Sequence, residues 1–204
     1  MLIVGLTGSI GMGKSTAAER FIQRGIAVFD ADRVVHALYR GPLAVAIDRV
    51  FPGTLIAGQV DRAKLSAALL SEPHKFKALE AIVHPAVRAA ERDFVRAQAA
   101  ARAKLAVLEI PLLFEAGGFE HVDVIIVVSA GAALQRARVL GRRGMSPEKL
   151  DRLLLRQLSD EEKRRRADFV VDTSGSVEAC HTQIDVIIKE LESRTGPAFE
   201  RFWQ

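Results

Sequence analysis

GLTGSIGMGKSTAAERF, residues 5–21, is the stretch that decides the fold of this chain. It contains the pattern G-x-x-x-x-G-K-[ST] from Gly8 to Ser15. Glycine lets backbone N–H groups converge on a phosphate, because no Cβ intervenes and positive φ angles are allowed. An apolar run over residues 2–7 comes before the loop, and a helical pattern follows it, so the positive end of a helix dipole points at the same anion. The pattern therefore predicts a loop that binds the phosphates of a nucleoside triphosphate.

Two side chains inside this loop carry predicted chemistry. Lys14 is expected to reach the outer phosphates, and the hydroxyl of Ser15 is placed to bind Mg²⁺. The alternative, a glycine turn beside an unrelated lysine, is disfavoured because the pattern follows a predicted strand and opens a helix. The loop residues predicted to contact the nucleotide are Gly8, Gly11, Met12, Gly13, Lys14, Ser15 and Thr16.

Composition places the chain among globular proteins. It has 204 residues, of which 49% are apolar and 26% are charged, which is enough for one domain with a sizeable core. No apolar run approaches the roughly 18 residues of a membrane helix, and the first residues lack the layout of a signal peptide. The single cysteine, Cys180, excludes an internal disulfide and suits a reducing compartment. We therefore expect a cytoplasmic protein without a membrane partner, as a monomer or weak oligomer.

The excess positive charge is gathered in one part of the sequence. The formal net charge is +4, and the arginines cluster within residues 136–166. That segment has no evenly spaced aromatic residues that could stack on bases. A phosphorylated small molecule is therefore favoured over a nucleic acid as the partner.

Five short apolar runs alternate with helical patterns, which is typical of an α/β fold with a parallel sheet. The predicted strands are 2–7, 26–30, 105–110, 122–129 and 168–171, and the predicted helices between and after them include 15–24, 132–140 and 176–192.

Two long segments interrupt the alternation. Residues 31–104 are too long for one crossover and carry almost no strand signal, so an inserted helical subdomain is predicted over residues 40–96. The helix-start signal Ser146-Pro147 lies in the second segment, where a helical lid is predicted over roughly residues 141–166. The predicted core comprises the remaining residues, 1–39 and 97–204, with the lid as part of it.

Two carboxylates, Asp30 and Asp32, follow the second predicted strand. Ligands of open α/β sheets bind beyond the carboxyl ends of the strands, so an acid there is expected to face the glycine loop. Asp32 could accept the proton of an alcohol that receives a phosphoryl group. It could equally be the N-cap of a helix over residues 33–38, and the sequence position leaves both readings open.

Two other positions are ambiguous in the same way. Glu109 lies in an apolar strand that is expected to continue to Ile110, and it is either an acid that contacts Mg²⁺ through water or a buried or capping acid. The dipeptide His84-Pro85 is interpreted as a helix-start turn, because Pro85 biases His84 away from the helical conformation.

Arg138 and Arg142 are four residues apart in a helical pattern, so they are predicted to share one helix face. Two neighbouring guanidinium groups repel each other unless an anion lies between them or solvent screens them. A lid that closes over a triphosphate would supply the anion and complete charge neutralisation in the transition state. A solvated basic helix is the alternative.

Taken together, these motifs resemble those of the dephospho-coenzyme A kinases. The glycine loop alone occurs in many nucleotide-binding proteins, whereas the ordered set spans residues 5–175 and is much more specific. The matching stretches are residues 5–16, Asp30-Ala-Asp32, His84-Pro85, Pro111-Leu-Leu-Phe-Glu115, Gln135-xx-Arg138-xxx-Arg142, Gln157 to Lys163 running into Ala167-Asp168, and Val170-Val-Asp-Thr-Ser-Gly175.

The resemblance implies a P-loop NTPase fold like that of the nucleoside monophosphate kinases. Such a fold has a three-layer α/β core with a five-stranded parallel sheet, a helical acceptor-binding insert and a helical lid. The resemblance also implies an activity, which is transfer of the γ-phosphoryl group of ATP, with Mg²⁺, to the ribose 3′-hydroxyl of dephospho-coenzyme A. That reaction is the last step of coenzyme A biosynthesis.

The resemblance also assigns roles to residues. It gives Asp32 the role of general base and Lys14 that of bridging the phosphates. Arg138 and Arg142 receive the catalytic role of the lid. The residues implied to line the acceptor pocket are Asp32, His84, Pro85, Pro111, Leu112, Leu113 and Glu115, and those implied to hold the adenine of ATP are residues 173–175, with Thr173 and Gly175.

The sequence departs from the family pattern at two positions. Thr173 stands where an asparagine is usual, and Leu153 stands where an arginine is usual, four residues before Gln157. The resemblance therefore assigns neither a side-chain contact with adenine to Thr173 nor a role in lid closure to Leu153. Two other functions stay open, which are a kinase for another small alcohol or nucleoside monophosphate, and a nucleotide-gated switch or nucleic-acid-binding protein.

Overall fold

The chain divides into two compact units in the structure, a computed structural model that describes residues 1–204. The first unit comprises residues 1–29 and 95–204, and the second comprises residues 30–94. The strands are β1 Leu2–Thr7, β2 Ala27–Asp30, β3 Leu55–Ile56, β4 Gln59–Val60, β5 Leu105–Glu109, β6 Val124–Ser129 and β7 Phe169–Asp172. The helices are α1 Lys14–Gln23, α2 Ala31–Tyr39, α3 Ala44–Val50, α4 Arg62–Ser71, α5 Phe76–Ala100, α6 Ala132–Leu140, α7 Pro147–Leu154, α8 Asp160–Arg165 and α9 Val177–Leu191.

The main sheet has five strands in the order β2-β5-β1-β6-β7. Its central strand, β1, pairs in parallel with β5 on one side and with β6 on the other. Every residue of β1 is buried, which is the pattern of a parallel strand covered on both faces. The predicted α/β fold with a five-stranded parallel sheet is confirmed.

Helices α1 and α9 pack together and close one face of the sheet. Apolar side chains of both helices belong to the same buried cluster as those of the central strands, including Phe21 and Ile184. At the surface, Arg20 of α1 and Arg24, the C-cap residue of that helix, each donate hydrogen bonds to the carboxylate of Asp185 on α9. These two guanidinium groups hold the pKa of Asp185 well below its usual range.

The sequence predicted the end of α6 correctly but placed the end of β5 one residue too late. Strand β5 ends at Glu109 and does not continue to Ile110, so Glu109 is the last residue of the strand, opposite Leu6 of β1. Helix α6 ends at Leu140, with Gly141 as its C-cap. Arg142 therefore lies beyond the helix, and the expectation that it shares a helix face with Arg138 is wrong.

The second unit is mainly helical and has its own apolar core. This core gathers side chains from α3, α4 and α5 and from the short strand β4; its buried members are Ala44, Ile47, Phe51, Val60, Leu65, Leu69, Leu79 and Val83. Strands β3 and β4 form an antiparallel hairpin, which was not predicted from the sequence. The two residues at its turn, Ala57 and Gly58, both have positive φ, as a tight hairpin turn of this kind requires.

The dipeptide His84-Pro85 lies inside the 25-residue helix α5, not at a helix start. The predicted turn is therefore wrong. Proline lacks an N–H and disfavours a helical residue before it, which is why the local rule indicated a break. Burial of the apolar residues Leu79 and Val83 in the core of the second unit outweighs that local preference.

The carboxyl-terminal residues pack against other parts of the first unit. Trp203 is buried, and its indole N–H donates to the carbonyl of His121. The carboxylate of Asp123 accepts from the N–H of Ile3 in β1 and from that of Ala198 in the tail. None of the helices combines the length and the apolar character needed to cross a membrane.

Candidate active site

The phosphate-binding loop, residues 8–15, connects β1 to α1. Gly13 is the residue before the helix and has φ +87°, a left-handed conformation that favours glycine. A Cβ on Gly8 would lie 2.6 Å from the carbonyl oxygen of Val128, so that position also requires glycine. The first turn of α1 contains no acidic residue, and its N–H groups therefore face the loop without a competing negative charge. The local geometry suits a bound anion.

Lys14 begins α1 and turns back over the loop. Its ammonium group donates a hydrogen bond to the carbonyl oxygen of Gly8 over 2.7 Å. Ser15, the next residue, is exposed, and Thr16 is half-buried. The charged head of Lys14 thus lies across the loop whose N–H groups the nucleotide would contact, and the hydroxyl of Ser15 is accessible from solvent.

Two glutamines hold the tip of the loop from opposite sides of one residue. The side-chain carbonyl of Gln157 accepts a hydrogen bond from the N–H of Ile10 over 3.2 Å. The amide of Gln135 donates to the carbonyl of the same Ile10 over 2.9 Å. Both peptide groups that flank Ile10 are therefore fixed by side chains from distant parts of the chain. Both glutamines lie in motifs that match the family, but the sequence alone assigns neither of them a part in the site.

Met12 contributes to the loop through its main chain alone. Its side chain is buried in the apolar cluster of the first unit, and its sulfur accepts from the N–H of Ala130. Next to the loop, a cavity of about 610 Å³ opens between Ser9, Gln135 and the segment from Asp151 to Asp160. Leu154 and Leu155 line it, and Leu155 is 86% exposed. The predicted lid residues therefore border open space at the loop.

Thr173 follows β7 and is directed at the loop. It is buried, and its hydroxyl donates to the carbonyl of Met12 over 2.8 Å. Arg138 of α6 donates to the carbonyl of Thr173 over 2.6 Å and to its hydroxyl over 3.3 Å. The side chain expected near adenine is thus engaged with the loop and with a predicted catalytic arginine. Gly175, two residues on, is exposed.

The two predicted catalytic arginines have different surroundings. Arg138 is half-buried and belongs to α6 of the core, where Thr173 holds it. Arg142 is exposed and follows the end of α6. The structure therefore places one arginine in fixed hydrogen bonds and leaves the other at the surface.

The segment Pro111–Glu115 follows β5 and is anchored at both of its ends. The hydroxyl of Thr7, at the end of β1, donates to the carbonyl of Pro111. Leu113 is fully buried, while its neighbour Leu112 is 40% exposed. One carboxylate oxygen of Glu115 accepts from the N–H of Leu158 and lies 3.0 Å from the ammonium of Lys163. Of the residues expected to line an acceptor pocket here, the structure places Leu113 and the carboxylate of Glu115 in contacts with the protein itself.

Lys163 belongs to the basic run Lys163–Arg166, and neither the motifs nor the resemblance gives it a role in the site. Its side chain is completely buried in α8, with Glu115 as its ion-pair partner. In the same helix, Asp160 accepts a hydrogen bond of 2.6 Å from Ser129 at the end of β6. The signal in the sequence was the charged run from Asp160 to Arg166, which looks like a solvated surface helix. Nothing in the local pattern shows that one of its four basic residues is buried.

In the second unit, Asp32 lies in the first turn of α2. The N-cap of this helix is Asp30, whose side chain accepts from the N–H of Arg33 over 2.8 Å. The alternative that Asp32 is the N-cap is therefore wrong. Its carboxylate is exposed. Farther along the unit, His84 and Pro85 are exposed on α5.

The family model for dephospho-CoA kinase (CoaE) matches residues 2–179 of this chain. The dephospho-CoA kinase of Mesorhizobium japonicum is 50% identical over 196 residues, which cover 96% of this chain and all of that protein. The chain belongs to the dephospho-CoA kinase family. The enzyme of that name from Brucella abortus is also 50% identical, over 198 residues covering 97% of this chain and 99% of its own.

Solved structures agree with this assignment to the dephospho-CoA kinases. A crystal structure of a Thermus thermophilus protein superposes with a TM-score of 0.79 at 36% identity, covering 96% of this chain and 98% of that one. The dephospho-CoA kinase of Campylobacter jejuni gives a TM-score of 0.67 at 28% identity, covering 93% of this chain and 96% of its own. A shikimate kinase of Acinetobacter baumannii, at 14% identity and a TM-score of 0.52, shares the fold. The predicted P-loop kinase fold is confirmed.

Proposed function

We propose that this chain transfers the γ-phosphoryl group of ATP to the ribose 3′-hydroxyl of dephospho-coenzyme A, which yields coenzyme A and ADP. The observation that carries the proposal is the phosphate-binding loop, held in shape by Gln135, Gln157 and Thr173, in a chain that belongs to the dephospho-CoA kinase family. Phosphoryl transfer needs mainly positioning and charge neutralisation, which such a loop provides.

The loop binds the triphosphate through main-chain N–H groups and the first turn of α1. Lys14, whose ammonium already lies at the loop, exchanges its bond to the carbonyl of Gly8 for the outer phosphates. A fixed cation and fixed N–H dipoles at this position stabilise the charge that spreads over the oxygens of the transferred group. The loop thus holds the donor in place for transfer.

Mg²⁺ fits this site through Ser15. The serine hydroxyl is exposed at the start of α1, next to the N–H groups that would hold the phosphates. Mg²⁺ commonly binds with one or two protein ligands, phosphate oxygens and water, so a single hydroxyl is a sufficient protein contribution. When bound, the ion neutralises phosphate charge. Glu109, at the end of the neighbouring strand β5, is the candidate for a further contact through water.

Arg138 and Arg142 supply additional positive charge. Arg138 is oriented by Thr173 and binds the phosphates from a fixed position, whereas exposed Arg142 binds them as the lid, residues 141–166, closes. Closure would also exclude water, which otherwise would accept the phosphoryl group. Residues 173–175 are proposed to hold adenine through main-chain groups, because the Thr173 side chain is already engaged.

Asp32 acts as the general base. Its carboxylate accepts the proton of the 3′-hydroxyl while the oxygen of that hydroxyl forms its bond to the γ-phosphorus, and ADP leaves with the electrons of the broken bond. The helical insert, residues 40–96, is proposed to bind the acceptor with His84, Pro85 and the segment Pro111–Glu115. We expect the protein to act in the cytoplasm as a monomer or weak oligomer.

The test is a coupled assay of ADP release with the purified protein, ATP, Mg²⁺ and a panel of acceptors. Dephospho-coenzyme A should stimulate release, and phosphorus NMR of the product should show a 3′-phosphate. AMP, adenosine and shikimate should stay near the rate measured without an acceptor. Robust turnover of AMP or shikimate, with none of dephospho-coenzyme A, would overturn the proposal.

A further inference from the structure

Thr173 connects three separate parts of the first unit through its hydroxyl, its main-chain N–H and its main-chain carbonyl. Its hydroxyl lies 2.8 Å from the carbonyl of Met12 in the phosphate-binding loop and 3.3 Å from that of Ser129 at the end of β6. Its own N–H donates to the carbonyl of Ser129 over 2.8 Å. Arg138 donates to both oxygens of Thr173, as described above. The residue is 4% exposed, so water does not compete for these bonds.

The hydroxyl satisfies two partners at once because it is both a donor and an acceptor. It donates its proton to Met12, the nearer of the two carbonyls, and its lone pairs accept from Arg138. A valine of the same shape could do neither. It would leave the carbonyl of Met12 without this donor and would remove one of the two bonds that fix the guanidinium of Arg138.

Packing at Thr173 also limits where the loop can lie. A Cβ on Gly13 would be 2.9 Å from the hydroxyl oxygen of Thr173 and 3.1 Å from its Cβ. The backbone at the start of α1 therefore touches Thr173 directly. The N–H groups of this turn are the ones expected to bind phosphate, so small shifts of Thr173 would move them.

We infer that Thr173 is a positioning residue which couples the phosphate-binding loop to Arg138. It does not contact the reacting groups. Thr173 fixes the carbonyl of Met12, so that the adjoining N–H groups of the loop converge. It also orients the guanidinium of Arg138 through two of its N–H donors, which leaves the other donors available for phosphate oxygens. The inference rests on the proposed function, because it assumes that this loop holds a nucleotide.

The test compares Thr173→Val, which keeps the shape and removes the hydroxyl, with Thr173→Ser, which keeps the hydroxyl and removes a methyl. ADP affinity is measured by calorimetry, and kcat and KM for ATP are measured where turnover is present. Thr173→Val should weaken ADP binding about tenfold, since the loop and Arg138 lose their common anchor. Thr173→Ser should stay within about threefold of the wild type, even if its melting temperature falls.

Thr54→Val is the matched control. Thr54 is also buried, and its hydroxyl donates to the carbonyl of Phe51 in the second unit. This variant loses the same kind of hydrogen bond, so it should lose thermal stability without a change in ADP affinity. Arg138→Met and the double variant Thr173→Val/Arg138→Met complete a cycle in which the two effects should be clearly less than multiplicative.

Three results would overturn the inference. Wild-type ADP affinity in Thr173→Val would do so, and so would an affinity in Thr173→Ser as low as that in Thr173→Val, because the methyl and not the hydroxyl would then matter. Fully multiplicative effects in the cycle would show that Thr173 does not act with Arg138.

If Thr173→Val does not fold, Thr173→Cys replaces it. ADP binding needs no acceptor, so a wrong acceptor assignment would appear separately, as wild-type ADP binding without turnover of dephospho-coenzyme A.

Discussion

Asp32 and Asp30 show how two neighbouring carboxylates take different roles. Asp30 caps α2 by accepting from the N–H of Arg33, which leaves the exposed carboxylate of Asp32 out of the cap. Their separation in the sequence is too small for the residue types alone to distinguish them. The cap geometry does so, because the N-cap residue must have an extended backbone, and Asp30 has φ −106° and ψ 103°.

Replacing Asp32 by asparagine should lower kcat by roughly 10²–10⁴, because the hydroxyl loses its proton acceptor, while ADP affinity stays near that of the wild type. Asp30→Asn is the matched control, since asparagine is an equally good N-cap, and it should keep kcat within about threefold. Steady-state kinetics and calorimetry measure the two quantities. Near-wild-type turnover in Asp32→Asn would remove Asp32 from the role of base.

Glu91 on α5 is an acid whose environment opposes its charge. It is 8% exposed, and burial raises its pKa to about 7 from an ordinary 4.5, although the nearby Arg88 counteracts part of this shift. The folded protein therefore binds a proton there at pH values at which the unfolded chain has released it. The stability linked to this proton is present in full below pH 4.5 and is lost as the pH rises through 7.

Glu91→Gln should remove this pH dependence. At pH 8 the variant should be more stable to unfolding than the wild type by roughly 1–3 kcal/mol, because no charge has to be buried, and near pH 4.5 the two proteins should differ little. Urea titrations at several pH values measure the difference. An equal difference at both pH values would show that the effect comes from packing and not from the proton.

At the scale of secondary structure elements, an ion pair connects α8 to the segment Pro111–Glu115. Lys163, completely buried, pairs with Glu115, and Glu115 also accepts from the N–H of Leu158 just before α8. Beside this pair, Asp160 of α8 is bonded to Ser129 of β6. Helix α8 is thus fixed to the end of β6 and to the segment that follows β5.

Lys163→Met should destabilise the protein by about 3–5 kcal/mol, because the carboxylate of Glu115 would stay in its protected position without a counter-charge. The double variant Lys163→Met/Glu115→Gln removes both charges and should recover a substantial part of that loss. Lys149→Met is the control, since that lysine is exposed and donates only to the carbonyl of Gly144. Denaturant unfolding gives the free energies. A double variant as unstable as Lys163→Met alone would contradict the explanation.

At the scale of the whole molecule, the two ends of the chain meet at one carboxylate. Asp123 accepts from Ile3 near the start and from Ala198 near the end. Gly196 passes so close that an added Cβ would lie 2.1 Å from the carboxyl carbon of Asp123. Trp203 completes the attachment of the tail. Its indole is buried, and its main-chain carbonyl accepts a hydrogen bond from Arg96.

Trp203→Ala should therefore lower the free energy of unfolding by about 3–5 kcal/mol, the usual loss for a buried aromatic side chain. Phe202→Ala is the matched control, because Phe202 is the adjacent aromatic residue and is 40% exposed. This variant should lose about 1 kcal/mol or less of the free energy of unfolding. Both values come from urea titrations. Equal losses in the two variants would show that the tail is not held by the buried indole.

The sequence by itself determined the parts of this protein that depend on neighbours in the chain. Alternating apolar runs and helical patterns predicted the five strands of the main sheet, and the glycine pattern at residues 8–15 predicted the phosphate-binding loop. These signals are local, because periodicity, capping and the φ angles open to glycine are set within a few residues. Where a local preference competed with burial, as at Pro85 in α5, the local rule failed.

Only the tertiary structure decided which side chains support the site. The bond from Ile10 to Gln157 joins residues 147 positions apart, and that from Thr173 to Met12 joins residues 161 positions apart. Lys163 stands in a charged run that resembles a solvated helix, yet it is the one buried among its basic neighbours. Such contacts arise because the order of strands in the sheet brings distant loops to a common edge, and no pattern confined to one segment carries that information.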